Sequence, residues 1–392
     1  MPYRKFQADY LFTGSDLTAN SSVLITNEKG EIKDIVAAGQ AGEDVEIFPG
    51  ILCPGFINTH CHIELSHLKN KIAEQTGLPD FVYKVVRERH YPEEEIVDAI
   101  KTAQAEMLQN GIVAAGDICN NELALSIKND ARLRYYNFIE VTGWNPLEAA
   151  ERFAHSKSIY DKYIGNEKKA SMVPHAPYSV SYLLWEKIAP YFSGKIVSIH
   201  NQETPFEDEF FLKGKGELTK MYEMMKIDNS FYTFPGVSSL QSYFEKLFSA
   251  SSVILVHNTF ITQDDIDFIT RKKPFGQLVS FCLCPNANVY IENKLPPVEM
   301  LMDAKVNIVV GTDSLASNHQ LDILEELKTI SKKFPAIKTE TMLTWATLNG
   351  SKALQMEDTL GSFEKGKQPG IVLIENIKAN KFTDASKAKR IL

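Results

Sequence analysis

The chain has 392 residues, 44% of them hydrophobic, with 42 basic against 50 acidic side chains and a net charge of -8. That length exceeds one small domain and suffices for a full α/β barrel with an accessory module, while the acidic balance argues against a nucleic-acid partner. No apolar run approaches the ~20 residues that a membrane span needs. The opening Met1-Pro-Tyr-Arg-Lys-Phe6 lacks an apolar signal core, so the expected location is cytoplasmic. The five cysteines (Cys53, Cys61, Cys119, Cys282 and Cys284) are an odd number without framework spacing, which suits a reducing compartment.

In chain order, the first 50 residues read as short strands and turns. Val23–Thr26 and Ile32–Val36 flank Asn27-Glu-Lys-Gly30, a hairpin signal in which Gly30 is free to take positive φ. The pattern then changes to alternating strand and helix. Buried parallel strands should appear as short, nearly continuous apolar runs, and eight qualify: Ile51–Ile57, Ile112–Asp117, Leu133–Val141, Ala170–Pro174, Ile196–Ile199, Val253–Val256, Leu278–Leu283 and Val306–Val310. Between them lie amphipathic stretches at a period near 3.6, among them Glu94–Leu108, Leu321–Ile330 and Thr341–Leu354. Eight βα units in about 300 residues predict an α/β fold of the (β/α)8 TIM type, although some doubly wound sheets would read similarly. The tail returns to strand character at Gly370-Ile-Val-Leu-Ile374. The predicted organisation is therefore a small β-sandwich-like module from 1–53 plus 356–392, and a barrel over 54–355. Two insertions, 69–91 and 204–248, exceed the usual two to six residues of a βα loop and are expected to cover the barrel mouth.

The chemistry lies at the strand ends. His60-Cys61-His62 follows the first barrel run; residues two apart on an extended segment face the same way, so both imidazoles can reach one ion. For that pair alone, two surface histidines would read the same. His175, His200, His257 and Asp313 end four further runs, at the face where barrel enzymes keep their active sites. Five of the nine histidines fall in this set. Imidazole nitrogen and carboxylate oxygen without thiolate suit Zn²⁺, Fe²⁺ or Mn²⁺, and the expected cofactor is one divalent ion, zinc before iron. Cys282-Leu-Cys284 lacks a partner pair, so its residues are read as packing. Glu203 stands three residues past His200; an ordinary exposed glutamate is the bland reading, and a carboxylate that moves protons between water and a leaving group is the sharper one. His62-Ile-Glu64 matches half of the signature of one zinc-dependent fold, but the Pro-Cys-x-x-Cys half is missing, which excludes that fold.

Several of these stretches resemble one superfamily. Pro54-Gly-Phe-Ile-Asn-Thr-His-Cys-His62 is similar to the opening signature of the amidohydrolases. Val173–Ser181, His200-x-x-Glu203, Leu255-Val-His257, Cys284-Pro-Asn-Ala-Asn288 and Gly311–Asn318 resemble the branch that holds cytosine, guanine, S-adenosylhomocysteine and aminodeoxyfutalosine deaminases with the triazine chlorohydrolases. The resemblance implies a single metal on His60, His62, His200 and Asp313, because no lysine stands at the fourth strand end, Val173-Pro-His175. It implies that Glu203 shuttles protons with His257 and Asp313 beside it, and that His175 contacts substrate. Glu64, Arg87 (or Arg89) and Asn288 complete the expected substrate contacts. The segment after His62 lacks the Met and Arg pattern of the adenosylhomocysteine enzymes and looks more like the aminodeoxyfutalosine group.

The expected activity is hydrolytic release of ammonia from an amino-substituted heterocycle, an aminopurine nucleoside-like compound such as aminodeoxyfutalosine. Within the same site the alternatives are a triazine-type chlorohydrolase or a cyclic amide hydrolase; outside it, a non-catalytic metal-binding barrel. The aromatic and methionine residues of 204–248 (Phe206, Phe210, Phe211, Met221, Tyr222, Met224, Met225, Phe231, Tyr232 and Phe234) are expected to wall the pocket for a flat ring, or to form the insertion's own small core. The expected partner is that small heterocycle, with no nucleic acid and no membrane, and a homodimer is the default oligomer.

Overall fold

The computed structural model describes residues 3–392; Met1 and Pro2, which begin the segment read for an export signal, lie outside it. The chain opens with β1 (Tyr3–Phe12), β2 (Leu17–Ala19), β3 (Ser22–Asn27), β4 (Ile32–Ala37) and β5 (Val45–Pro54). β3 and β4 form the expected hairpin. At its turn, Asn27 Oδ1 accepts from the backbone N–H of Lys29 and Glu31, both at 3.0 Å, and Gly30 adopts φ +79°, a conformation that glycine takes at little steric cost.

The barrel strands follow: β6 (Phe56–Cys61), β7 (Ile112–Cys119), β8 (Arg134–Val141), β9 (Ala170–Pro174), β10 (Ile196–Asn201), β11 (Ser252–His257), β12 (Leu278–Leu283) and β13 (Asn307–Val310). They pair in parallel as β6-β7-β8-β9 and β10-β11-β12-β13. The two sets meet at both seams. Between β9 and β10, the His200 N–H donates to His175 O at 3.0 Å and Ser171 Oγ to Ile196 O at 2.6 Å. Between β13 and β6, the N–H groups of Thr312 and Asp313 donate to His60 O at 3.0 and 3.1 Å, and Thr59 Oγ1 donates to Val310 O at 2.7 Å. The result is the (β/α)8 barrel. Its strands are buried almost throughout, which is why they appear in the sequence as unbroken apolar runs rather than alternating ones.

One boundary is corrected. The run Ile51–Ile57 is two strands, not one. Ile51–Pro54 belongs to β5 and pairs with β14 (Ile371–Glu375), whereas the barrel begins at Phe56. Gly55 lies between them, where a Cβ would come within 2.3 Å of Val113 Cγ1 and 2.7 Å of Pro369 O, so the chain passes from module to barrel only without a side chain. β14 also pairs with β15 (Lys387–Arg390), and both chain ends meet in one seven-stranded sheet. The insertions are helical. Leu78–Glu88 forms one helix, and Pro205–Lys213, Glu217–Met224 and Ser239–Tyr243 form three more. Leu68, Leu78, Phe81, Phe210, Met221 and Tyr222 pack in a cluster of their own over the barrel mouth. Among the described residues no helix is long and apolar enough to cross a membrane.

Candidate metal centre and active site

The end of β6 turns His60 and His62 to one face, and Cys61 to the other, where its Sγ meets Asp117 Oδ1 at 3.5 Å. Their Nε2 atoms lie 3.1 Å apart, and His62 Nε2 is 3.4 Å from His200 Nε2. Asp313 Oδ1 stands 3.5 Å from His60 Nε2 and 3.3 Å from His62 Nε2. Four ligands at 2.0–2.1 Å around a tetrahedral zinc are separated by roughly 3.3 Å, so this donor set already has the spacing of a coordination shell. Its ring orientations agree. His200 Nδ1 donates to His175 O at 2.7 Å, which leaves the Nε2 lone pair facing the shared point. The Nδ1 atoms of His60 and His62 are buried without a partner, so the polar contacts of both rings are made at Nε2.

His257 also approaches this point, within the same 4.8 Å group as His60, His200 and Asp313. Its commitments differ. Asn288 Nδ2 donates to His257 Nδ1 at 3.1 Å and to Thr259 Oγ1 at 2.8 Å. The proton of His257 is thereby assigned to Nε2, which faces Glu203 Oε1 at 3.5 Å. A nitrogen that carries hydrogen offers no lone pair to an ion, so His257 is arranged as a donor rather than a ligand.

Burial sets the charges. It presses His200 to about 3 and His175 to about 4, and holds His62 and His257 well below the usual histidine range, so these rings are neutral at pH 7. For Asp313 burial pulls upward, but the nearness of His60, His62 and His257 outweighs it and keeps the carboxylate ionised. Glu203 goes the other way: burial, then repulsion from Asp313, Glu207 and Glu292, pushes it well above the carboxylate range. The backbone is bent to deliver these groups. His257 (φ +74°), Asp313 (φ +56°) and Gln202, next to Glu203 (φ +44°), occupy the left-handed region, a cost of about 1–3 kcal/mol each that surrounding structure must offset. Ser317 Oγ donates to Asp313 Oδ2. Gly311 passes so close beneath that a Cβ would lie 2.8 Å from His60 O.

Above this floor opens a cavity of about 480 Å³. His62, His175, His200, Glu203, His257 and Asp313 line its base, and Leu78, Phe81, Val85, Met221, Tyr222 and Met225 form its apolar wall. The other expected contacts are placed differently. Glu64 is buried behind the wall, where its oxygens accept from Arg89 Nη2 at 3.3 Å and Asn120 N at 2.9 Å. It is Arg89 and Asn120 that line the cavity. Arg87 lies outside, donating to Tyr83 Oη at 2.9 Å. Asn288 serves His257 rather than the cavity. Of the aromatic residues in the second insertion, Phe210 and Tyr232 stack on each other (4.7 Å) and pack on Trp144, while Met224 and Phe234 are exposed. Most of that aromatic content therefore forms the insertion's own core.

Asn120, Trp144, Glu140 and Arg152 are among the lining residues that were missed in the sequence. Trp144 stacks on Tyr222 at 5.3 Å and donates from Nε1 to Asn229 Oδ1 at 2.7 Å. Glu140 sits at the end of β8, accepting from Asn120 Nδ2 at 3.0 Å; a carboxylate closing an apolar barrel run was the available signal.

Comparison with known proteins fits this architecture. The chain is 28% identical over 387 residues to a 5-methylthioadenosine/S-adenosylhomocysteine deaminase of Teredinibacter turnerae, covering 92% of this chain and 80% of the relative. It is 29% identical over 347 residues to an aminodeoxyfutalosine deaminase of Nitratiruptor, covering 83% and 79%. The crystal structure of Helicobacter pylori aminofutalosine deaminase in complex with methylthio-coformycin superposes with a TM-score of 0.82 at 20% identity, covering 99% of this chain and 100% of that one. Residues 51–391 match the model of the amidohydrolase family, a metal-dependent family of hydrolases, and the chain belongs to it.

Proposed function

We propose that this protein is a hydrolytic deaminase of an aminopurine nucleoside-like compound, and that His60, His62, His200 and Asp313 hold one divalent ion, zinc before iron. The observation that carries the reading is Glu203: a buried carboxyl 3.5 Å from the Nε2 of His257, beside a converging His₃Asp donor set. The ion supplies the Lewis acidity that lets water attack at neutral pH. Glu203 donates its proton to the ring nitrogen beside the amine-bearing carbon and accepts one from the attacking water. His257 and Asp313 orient that water and assist the last proton toward the amine. The carbon–oxygen bond forms and the carbon–nitrogen bond breaks, and the amino group, having gained that last proton, leaves as neutral ammonia. A carboxyl placed to deliver a proton favours an amine leaving group, since chloride departs without one.

The cavity supports the substrate class. Its apolar wall suits a flat ring, and a volume of about 480 Å³ exceeds the needs of a free base. Arg89, held by Glu64, and Arg152 offer an anionic or hydroxylated substituent a polar end. Curated relatives named for methylthioadenosine, adenosylhomocysteine and aminodeoxyfutalosine support the same class, and aminodeoxyfutalosine is the first specific candidate. The test is an ammonia-release panel over aminopurines, aminopyrimidines, their nucleosides and triazines with the zinc-loaded protein. Substituted nucleosides should exceed free bases in kcat/KM; chloride release, or free cytosine or guanine as the best substrate, would overturn the reading.

A further inference from the structure

Strand alternation, continued past the end of β10, would turn His200 and Gln202 to one face and Glu203 to the other. The chain departs from this. His200 and Glu203 both line the active-site cavity. Gln202 is fully buried and sends its Nε2 elsewhere, donating to Asp208 Oδ2 at 3.1 Å and Asp265 Oδ2 at 2.9 Å. The reversal is made at Gln202 itself, whose φ of +44° is left-handed, a conformation that a residue with a Cβ keeps only where its surroundings enforce it.

Glu207, the third residue of the helix Pro205–Lys213, supplies that enforcement. It is fully buried. Its Oε1 accepts the N–H of Glu203 at 2.9 Å, and its Oε2 accepts the N–H of Gln202 at 3.1 Å and Ser239 Oγ at 3.0 Å. A glutamate at this place in a helix ordinarily reaches back to the N–H of the N-cap residue. Here the N-cap is Thr204, whose side chain makes no capping bond, and Glu207 bonds the two residues before it instead. Its hydrogen bonds therefore go to the turn that aims Glu203. The helix Ser239–Tyr243 braces the same segment from the far end of the insertion: besides Ser239, Tyr243 Oη donates to Asn201 Oδ1 at 2.7 Å.

We propose that Glu207 is a positioning residue for Glu203. By holding both N–H groups of the left-handed turn it points the Glu203 carboxyl into the cavity, toward His257, and Ser239 holds Glu207 in turn. The second insertion then contributes more than a cavity wall, because it carries the brace of the proton shuttle. The kinetic consequence rests on the deaminase reading: a displacement of about 1 Å at a group that must meet a reacting atom costs about 10²-fold in rate.

The test is Glu207→Gln in the zinc-loaded full chain. The change is nearly isosteric but leaves one acceptor oxygen, so one of the two amides loses its partner. With adenosine as substrate, kcat should fall about 10–100-fold while KM stays within about twofold and zinc content is unchanged. In hydrogen–deuterium exchange the Gln202 and Glu203 amides should exchange about tenfold faster. Ser239→Ala removes one hydroxyl from the Glu207 carboxyl and no backbone contact; it should lower kcat about two- to fivefold and decides the matter if Glu207→Gln does not fold. Phe244→Leu thins the buried core under the same insertion; it should lower the melting transition and leave kcat as it was. Unchanged kcat or unchanged exchange in Glu207→Gln, a rise in KM in place of the fall in kcat, or an equal fall in kcat in Phe244→Leu would each overturn the proposal. A wild-type chain that releases no ammonia from any nucleoside overturns the deaminase reading instead; exchange needs no turnover and still decides whether Glu207 holds this turn.

Discussion

At the floor of the active-site cavity, His60, His62, His200, His257 and Asp313 project from the ends of barrel strands, or from the residues just after them, on backbone held by hydrogen bonds on both sides. At its roof, Leu78, Phe81, Met221 and Tyr222 project from two inserted helices that touch the barrel through a separate apolar cluster. The floor accepts left-handed backbone at His257 and Asp313 and buries titratable groups, each tied to a named partner. The roof is held by apolar packing, which is non-directional and tolerates repacking. Chemistry that depends on a few tenths of an ångström sits on the rigid side, and recognition of a ring's shape sits on the adaptable side. If so, substitutions on the two sides should fail in different ways.

The largest effect belongs to the floor. Glu203→Gln should lower kcat about 10²–10⁴-fold while the metal content per chain, measured by atomic emission, stays at that of the wild type. Loss of metal in parallel with activity would mean that Glu203 helps to hold the ion, and near-normal turnover would remove it from the chemistry.

Next comes the support beneath the floor. Asp117 Oδ1 accepts the N–H of Ile63 at 2.9 Å, directly after His62, while Oδ2 pairs with the fully buried Lys128 at 2.5 Å. Burial would discharge Lys128, but Asp117 outweighs it and keeps the ammonium charged. Asp117→Ala would strand that charge, at a cost of about 3–5 kcal/mol in denaturant unfolding. It would also free the segment that carries His60 and His62, loosening metal by about 10–100-fold in chelator competition. An unfolding change without any metal change would confine Asp117 to stability.

On the roof the effect should be smaller and of another kind. Met225→Ala removes apolar contact from the cavity wall and should raise KM about tenfold or less for a nucleoside-sized substrate, with kcat preserved. A fall in kcat alone would show the roof taking part in the chemical step, and the distinction between the two sides would fail.

The same division explains what was legible in the sequence. The floor could be read because strand ends are marked by where apolar runs stop, and the residues that stop them, such as His200 and His257, bear the chemistry. The roof could be read only as length and composition. Nothing local distinguishes Met221, which faces the cavity, from Phe210, which packs on Trp144; that depends on how three short helices settle on one another. Arg87 and Arg89 lie two residues apart near a helix end, and only the tertiary anchor at Glu64 selects Arg89. The Ile51–Ile57 run misled because apolar residues continued through Gly55 while the strand changed sheets.

The smallest effect is a pH response of a buried carboxyl beside the floor. Glu326 is fully buried; its oxygens accept from Asn286 N at 2.8 Å and Asn318 Nδ2 at 2.7 Å, and Asn318 donates in turn to Thr312 O beside Asp313. Burial outweighs these hydrogen bonds and raises the Glu326 carboxyl to about 8, against 4.5 for the unperturbed group. Between those values the folded state binds a proton that the unfolded chain does not. The stability it contributes is thus fully present below about 4.5 and is lost as pH rises through about 8. From pH 6.5 to 7.5 the loss should be about 1 kcal/mol, the limit for one proton being 1.36 per unit. Glu326→Gln, neutral at every pH, should make that part of the unfolding profile shallower by about 1 kcal/mol per pH unit, with the buried Glu64 and Glu207 carboxyls, raised to about 7 and about 8, keeping the remaining slope, whereas Met225→Ala on the roof should leave the slope unchanged. A slope that is the same in Glu326→Gln as in the wild type would show that Glu326 is ionised in the fold, with its two donors outweighing its burial.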